Sequence, residues 1–280
     1  MNVLRKVVGI KDLRDARAAL PEPVGFVPTM GFLHEGHLSL VRRAREQSAS
    51  VIVSIFVNPT QFAPTDDLDA YPRDLERDAA LLQEAGADLL WTPTPEIMYP
   101  PNFQTWVDVD GLTQPLEGEK RPGHFRGVTT VVTKLFNAVQ PQKAFFGQKD
   151  AQQAAVIRQM VRDLNMPIEI LIQPIVRERD GLAMSSRNTY LNPAERQAAL
   201  VLSKSLAAAQ SAYKKGERNA ETLRGMMEEI IKAEPLARLE YVSCADYDTL
   251  EELRELTGKS LLSMAVYIGR TRLIDNRVLG

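Results

Sequence analysis

Residues 24–40 read VGFVPTMGFLHEGHLSL. The stretch VGFVPTM (24–30) is a short apolar run of the kind that makes a buried strand, and a glycine follows it. From about His34 through HLSLVRRAREQS (37–48) the spacing is helical. A strand that turns through Gly31 straight into a helix is the opening unit of an α/β fold. It leaves the free N–H groups and positive dipole end of the helix at the carboxyl edge of the strand. The chain has three histidines, and two of them, His34 and His37, stand in this turn.

Outward from that unit the pattern repeats. Strand-like runs at 50–58 (SVIVSIFVN), 88–93, 143–147 (KAFFG) and 168–177 alternate with helical runs at 74–87, 128–139 and 150–165. Apolar, β-branched strands separated by helices predict a mainly parallel sheet covered on both faces. The expected fold class is therefore α/β: a Rossmann-like, doubly wound sheet whose ligands lie at the strands' carboxyl ends. After about Leu191 the sequence becomes helical and Ala-rich, with Asn192 and Pro193 as a helix start and a second helix near 219–233. Strand-like stretches at 239–247 and 260–276 follow. We assign 1–184 to the Rossmann-like domain and 185–280 to a smaller α+β domain.

Composition narrows the function classes. With 44% hydrophobic and 25% charged residues, a chain of 280 residues can bury a sizeable core. A net charge of -2 gives no basic field for nucleic acid. No apolar run approaches the roughly 20 residues of a membrane span. The N-terminus turns charged too soon for a secretory signal. The single cysteine, Cys244, excludes an internal disulfide and a Cys-rich zinc site. These features suit a cytoplasmic protein.

Five groups of residues could carry chemistry. His34 and His37 are three apart, whereas the zinc motif H-E-x-x-H needs four, so phosphate binding competes with zinc and with a purely structural pair. Imidazoles in a helix's first turn can donate to phosphate oxygens, and Gly36 keeps bulk away from the backbone. ERDGLAMSSRNTYL (178–191) gathers Arg179, Arg187, Ser185 and Ser186 just after Arg177, a set suited to a triphosphate or to an ordinary solvated loop. FFGQKDAQQ (145–153) puts Lys149 just past a strand end. SIFVNPTQF (54–62) puts the amides of Asn58 and Gln61 at the same edge, where they could orient a small polar ligand. LEGEKRPGHFRGVTTVV (116–132) holds Arg121, His124 and Arg126 between glycines, in a flexible basic loop before a helix. Four of the five follow predicted strands of one sheet, which favours a nucleoside triphosphate site over scattered surface decoration.

PTMGFLHEGHLSL holds the H-x-G-H signature of nucleotidylyltransferases and class I aminoacyl-tRNA synthetases, and MSSRN resembles the phosphate loop that accompanies it. With SIFVNPTQF, DLDAYPRDLERD, EGEKRPGHFRGV, FFGQKDAQQ and DGLAMSSRNTYL in order over 28–191, the chain resembles the pantothenate synthetase (pantoate–β-alanine ligase) family. The resemblance implies ATP, (R)-pantoate and β-alanine as substrates, Mg²⁺ as cofactor, a pantoyl-adenylate intermediate and a homodimer. It places Met30, Gly31, Phe32, Leu33, His34, Glu35, Gly36 and His37 on ATP. Gly147, Gln148, Lys149, Asp150, Val176, Met184, Ser185, Ser186 and Arg187 complete the nucleotide site. His34, His37, Lys149 and Arg187 are the expected catalytic groups. Gln61 and Gln153 hold pantoate, with Gln61 also near β-alanine. Tyr71, Arg121 and His124 belong on the amine side, and Asp78 on the metal. The polar segment 64–77 reads as a closing flap. Without a Ser-His-Asp triad or a cysteine nucleophile, such chemistry rests on orientation and charge neutralisation. The rival readings are a cytidylyltransferase-like enzyme and a nucleotide-sensing protein.

Overall fold

The computed structural model describes residues 3–62, 68 and 71–280. The chain divides into two compact units, Met1–Gly147 with Gln152–Pro174, and Gln148–Ala151 with Ile175–Gly280. The sequence-based division at 184/185 falls inside the second unit. Among the described residues no helix is long and apolar enough to cross a membrane.

In chain order the first unit contains β1 (Arg5–Val7), α1 (Ile10–Ala18), β2 (Val24–Thr29), α2 (Glu35–Gln47), β3 (Ser50–Ile55), α3 (Leu75–Ala85), β4 (Leu89–Trp91), α4 (Pro95–Met98), α5 (Glu117–Lys120), α6 (His124–Val139), β5 (Lys143–Gly147), α7 (Ala151–Asp163, from Gln152 onward in this unit) and β6 (Glu169–Gln173). The six strands form one parallel sheet in the order β1-β4-β3-β2-β5-β6. Strand neighbours alternate in direction of burial. Phe26, Ala144 and Phe146 enter one core with Leu13, Leu135, Phe136 and Ile157 from α1, α6 and α7. Val27 and Phe145 enter the other core with Leu40, Val41 and Leu82 from α2 and α3. Both faces are thus covered, which is why the strands read as unbroken apolar runs.

The chain reverses its winding between β2 and β5, and such a switch point opens a crevice at the carboxyl ends of the strands. One residue accentuates it. Val24 bonds toward the β5 side, through its N–H to Gln142 Oε1 and its carbonyl from Gln142 N–H. By the period of two, Pro28 faces the same side and has no N–H to offer. The β2–β5 ladder accordingly pairs only Gly25 with Lys143 and Phe26 with Ala144, while β2–β3 pairing continues to Thr29.

The second unit contains α8 (Pro193–Ala198), α9 (Leu200–Lys214), α10 (Ala220–Lys232) and the antiparallel strands β7 (Ala237–Asp246), β8 (Ser260–Ile268) and β9 (Thr271–Leu279), in the order β7-β8-β9. Leu206, Leu223 and Met227 pack with Leu262, Met264 and Val266 in its core. Asn192 caps α8 in a reciprocal box with Glu195, as the Asn-Pro start predicts. The stretch 260–276, expected as one strand, is a hairpin. Gly269, at φ +56°, turns the chain so that Ile268 pairs with Thr271. The helix expected from 128 begins instead at His124, because Gly123 at φ +81° starts it earlier. His124 and Arg126 therefore stand in a helical first turn and not in a loop. Strand β3 stops at Ile55, short of the expected 58, and Asn58 caps a 3-10 turn over Pro59–Gln61.

Candidate active site

At the carboxyl end of β2, Thr29 Oγ1 donates to the Ser54 carbonyl (2.9 Å) and accepts the Gly31 N–H (3.2 Å). The next two residues have left-handed backbones, Gly31 at φ +86° and Phe32 at φ +49°. The second is unfavourable for a residue with a side chain. Asp78, from α3 and 1% exposed, holds the turn there: its carboxylate accepts the N–H of Phe32 (2.7 Å) and of Leu33 (2.8 Å). Arg77 grips the same turn, donating to the Leu33 carbonyl at 3.0 Å with its guanidinium over the Phe32 ring. Burial pushes the Asp78 carboxyl up from its ordinary range, and the two amides and Arg77 pull it partly back.

The histidines then start α2. Gly36 N–H donates to His34 Nδ1 (3.1 Å), and His34 N–H donates to His37 Nδ1 (3.3 Å), a reciprocal cap. The rings lie 4.1 Å apart between centroids. An Nδ1 that accepts carries no proton, so in each neutral ring the proton is on Nε2, which becomes a donor. The structural and phosphate readings of this pair are thus compatible, since each ring caps with one nitrogen and can present the other to an anion.

Asp78 does not fit direct metal ligation, the role the sequence resemblance suggested. Both of its oxygens accept turn amides inside a buried setting. Among the described residues no three His, Cys, Asp or Glu side chains converge on a metal position.

The second part of the site is built around Gln61. Asn58, 1% exposed, accepts at Oδ1 from the Tyr99 hydroxyl (2.8 Å) and the Thr60 hydroxyl (3.0 Å). The Thr60 N–H, which can only donate, also meets Oδ1 (3.4 Å), and the Gly127 carbonyl, which can only accept, lies at the other end, so the direction of the amide is fixed. Its Nδ2 then donates to Gln61 Oε1 and to the Gly127 carbonyl, each at 3.2 Å. With Oε1 so engaged, Gln61 presents Nε2, which reaches the Met30 sulfur at 3.0 Å. Burial raises the Tyr99 pKa, so it stays a hydroxyl donor at neutral pH. His124 Nδ1 meets the Gln61 carbonyl at 2.9 Å, and Arg121 Nη1 meets His124 Nε2 at 3.2 Å. A carbonyl only accepts and a guanidinium only donates, so His124 is the neutral Nδ1–H tautomer. Gly127 lets α6 approach: a Cβ there would fall 2.4 Å from the Thr60 carbonyl oxygen. Tyr71 is buried with its ring 6.0 Å from that of Phe62.

The two glutamines at the start of α7 differ in their surroundings. Gln152 is buried, accepting from Glu117 N–H (3.0 Å) and donating to the carbonyls of Leu112 (2.9 Å) and Pro115 (2.8 Å). Gln153 is half-buried beside it. Residues 64–67, 69 and 70 of the expected flap lie outside the described residues.

In the second unit, Gln148–Asp150 forms a 3-10 turn that carries Lys149. Gln148 Oε1 accepts from the Tyr247 hydroxyl (3.3 Å), and its Nε2 donates to Asn276 Oδ1 (3.2 Å). The segment 176–184 folds into a tight ribbon, with Met184 N–H on the Val176 carbonyl (3.0 Å) and Glu178 N–H on that of Leu182 (2.8 Å). The expected nucleotide residues Val176 and Met184 are therefore adjacent. Ser185 caps the following 3-10 turn, Ser186–Tyr190, by accepting the Arg187 N–H. Arg177, counted with the basic cluster in the sequence, is committed elsewhere: it makes a two-pronged ion pair with Asp275 at 2.7 and 2.9 Å. Arg179 is exposed. Tyr99, Gly127, Asp275 and Asn276 were not singled out from sequence. Gly127 alone carried a signal, as a glycine in a helix next to a functional loop; the others act through partners distant in the chain.

The family model described as Pantoate-beta-alanine ligase matches residues 2–278. The pantothenate synthetase of Roseiflexus sp. (strain RS-1) is 60% identical over 276 residues, covering 99% of both chains. That of Herpetosiphon aurantiacus is 58% identical over 277 residues, 99% of this chain and 100% of its own. Among solved structures, a pantothenate synthetase from Thermus thermophilus matches with a TM-score of 0.94 at 50% identity, over 98% of this chain and 99% of that one. A pantoate-beta-alanine ligase from Francisella tularensis, complexed with beta-gamma ATP and beta-alanine, matches at 0.80 with 33% identity, over 98% and 97%. With a turn, a pair of capping histidines and an oriented amide at the switch point of a parallel sheet, and with this similarity along nearly its whole length, the chain belongs to the pantoate-beta-alanine ligase family.

Proposed function

We propose that the protein joins (R)-pantoate to β-alanine with consumption of ATP, giving (R)-pantothenate, AMP and diphosphate through a pantoyl adenylate. The observation that supports this most directly is the histidine pair: both Nδ1 atoms accept backbone N–H groups, so both Nε2 atoms are donors. That is the equipment for charge building on a phosphate, at a helix start where anions are favoured.

In the first step a pantoate carboxylate oxygen bonds to the α-phosphorus and the bond to diphosphate breaks. In the second, the β-alanine amine bonds to the acyl carbon, AMP leaves with the electron pair, and the amine loses a proton. We assign Met30–His37, Gly147–Asp150, Val176 and Met184–Arg187 to ATP, with His34, His37, Lys149 and Arg187 stabilising phosphate charge. Gln61 and Gln153 are assigned to pantoate. The Gln61 Nε2 suits a carboxylate or hydroxyl acceptor, and a neutral amide leaves the carboxylate nucleophilic. Arg121 and His124 act by holding the Gln61 backbone, and Tyr71 lines the amine side. Mg²⁺, if bound, supplies charge neutralisation on the phosphates, which are its customary ligands. We further place the enzyme in the cytoplasm, which its composition suits, and as a homodimer, which the family resemblance implies.

The test is exchange of labelled diphosphate into ATP. With pantoate and without β-alanine, exchange should proceed; without pantoate it should stop. Formation of ADP and phosphate would replace the adenylate with an acyl phosphate.

A further inference from the structure

Two adjacent residues on the last strand have no part in the chemistry above, yet both are buried polar groups. Asp275 is 1% exposed and Asn276 3% exposed. Successive side chains of a strand leave on opposite faces, so one dipeptide can serve two segments. Asn276 Nδ2 donates to two consecutive carbonyls, Gln148 (3.0 Å) and Lys149 (2.8 Å), and its Oδ1 accepts from Gln148 Nε2 (3.2 Å). Asp275 holds Arg177 through both oxygens, and Arg177 also donates to the Gly181 carbonyl (3.0 Å) and the Asn276 carbonyl (3.3 Å).

We infer that Asp275 and Asn276 are positioning residues for adenylation. Asn276 orients the peptides of the Lys149 turn, and Asp275, through Arg177, orients the ribbon that leads to Ser185–Arg187. The inference rests on the proposed role of those segments at ATP. In a trans peptide the N–H points opposite to the C=O. Fixing the carbonyls of Gln148 and Lys149 on β9 therefore aims the N–H groups of Lys149 and Asp150 away from it. Every polar atom of the Asn276 side chain is used in this one contact. An amide is the side chain that can donate twice and accept once there; a carboxylate of the same size would set oxygen against two carbonyls.

The experiment compares wild type with Asn276→Asp and Asn276→Ser in three readouts. These are pantoate-dependent diphosphate exchange, AMP release from chemically made pantoyl adenylate by β-alanine, and hydrogen exchange of the 149–151 amides. A displaced phosphate-binding group should lower the exchange kcat by roughly 10- to 100-fold. The second half-reaction should stay near the wild-type rate, and the 149–151 amides should exchange faster. Asp275→Asn should show the same split. Two results would overturn the inference: unchanged exchange in folded Asn276→Asp, or a loss in both half-reactions that tracks the folded fraction. Asn276→Ser serves where Asn276→Asp does not fold. If the wild type itself exchanges no diphosphate, the proposed function fails. Amide exchange at 149–151 still decides whether Asn276 holds the turn.

Discussion

His37 Nδ1 accepts the backbone N–H of His34 at 3.3 Å, so the residue expected to face phosphate also closes the first turn of its own helix. The two duties use different ring nitrogens and can be separated by substitution. Asparagine places an acceptor near Nδ1 but nothing at Nε2. His37→Asn should keep the melting temperature and lower kcat by about 10²–10³, the usual cost of one charge-stabilising donor. His37→Ala should lose the same rate and about 1 kcal/mol of stability with the cap. Normal turnover in folded His37→Asn would remove Nε2 from the mechanism.

Asp78 should matter through the turn it holds. In Asp78→Asn one oxygen can still accept an amide, while the new NH₂ faces the other N–H. The expected destabilisation is about 1–3 kcal/mol at neutral pH. The folded-state pKa of Asp78 is raised, chiefly by burial, so the native protein holds this proton more tightly than the unfolded chain. The Asp78 contribution to stability therefore falls as pH rises from the unfolded to the folded pKa, and is level above. Urea titrations across acidic pH should show the gap between wild type and Asp78→Asn narrowing through that window. A gap that widens with pH would mean the folded site favours the carboxylate.

Tyr99 should tune one substrate and not the other. Its hydroxyl, at 2.8 Å from Asn58 Oδ1, helps orient the amide that orients Gln61. Tyr99→Phe should weaken pantoate by roughly two- to thirteenfold, what a neutral hydrogen bond of about 0.5–1.5 kcal/mol amounts to, with ATP affinity unchanged. Gln61→Ala should weaken pantoate further. Calorimetry giving equal losses for both ligands would show general damage and not misorientation.

Two helical glycines should respond in opposite directions. A Cβ on Gly127 would meet the Thr60 and Gln61 backbone at 2.4–2.8 Å, and neither side can yield without moving the site. Gly127→Ala should cost about 1–3 kcal/mol. Gly225, inside α10, has nothing within 4 Å of its would-be Cβ. Gly225→Ala should stabilise by about 0.5–1 kcal/mol through reduced backbone entropy. Thermal melts of the pair check both.

Cys244 should be inert. It is fully buried, and burial pushes its thiol up to about 11, with Arg224 opposing and Glu252 adding to the rise. A thiol–disulfide exchange reagent at pH 8 should react only as fast as the protein unfolds. Rapid native-state labelling would mean that this part of the second unit opens readily.

The sequence by itself determined the alternating sheet, the Gly31 turn and the Asn192 cap. All of these are local: strand period, helix spacing and turn residues act within a few positions. Only the tertiary structure decided which of the similar-looking polar residues do which work. Gln152 and Gln153 are neighbours in sequence, yet Gln152 is taken up by the carbonyls of Leu112 and Pro115. Arg177 reads as part of a phosphate cluster until Asp275, 98 residues on, claims it. The orientation of Gln61 depends on Tyr99, whose hydroxyl acts through Asn58 41 residues away. A hydrogen bond needs its partner within about 3 Å and correctly directed. No spacing rule along the chain supplies that when the partners arrive from different elements.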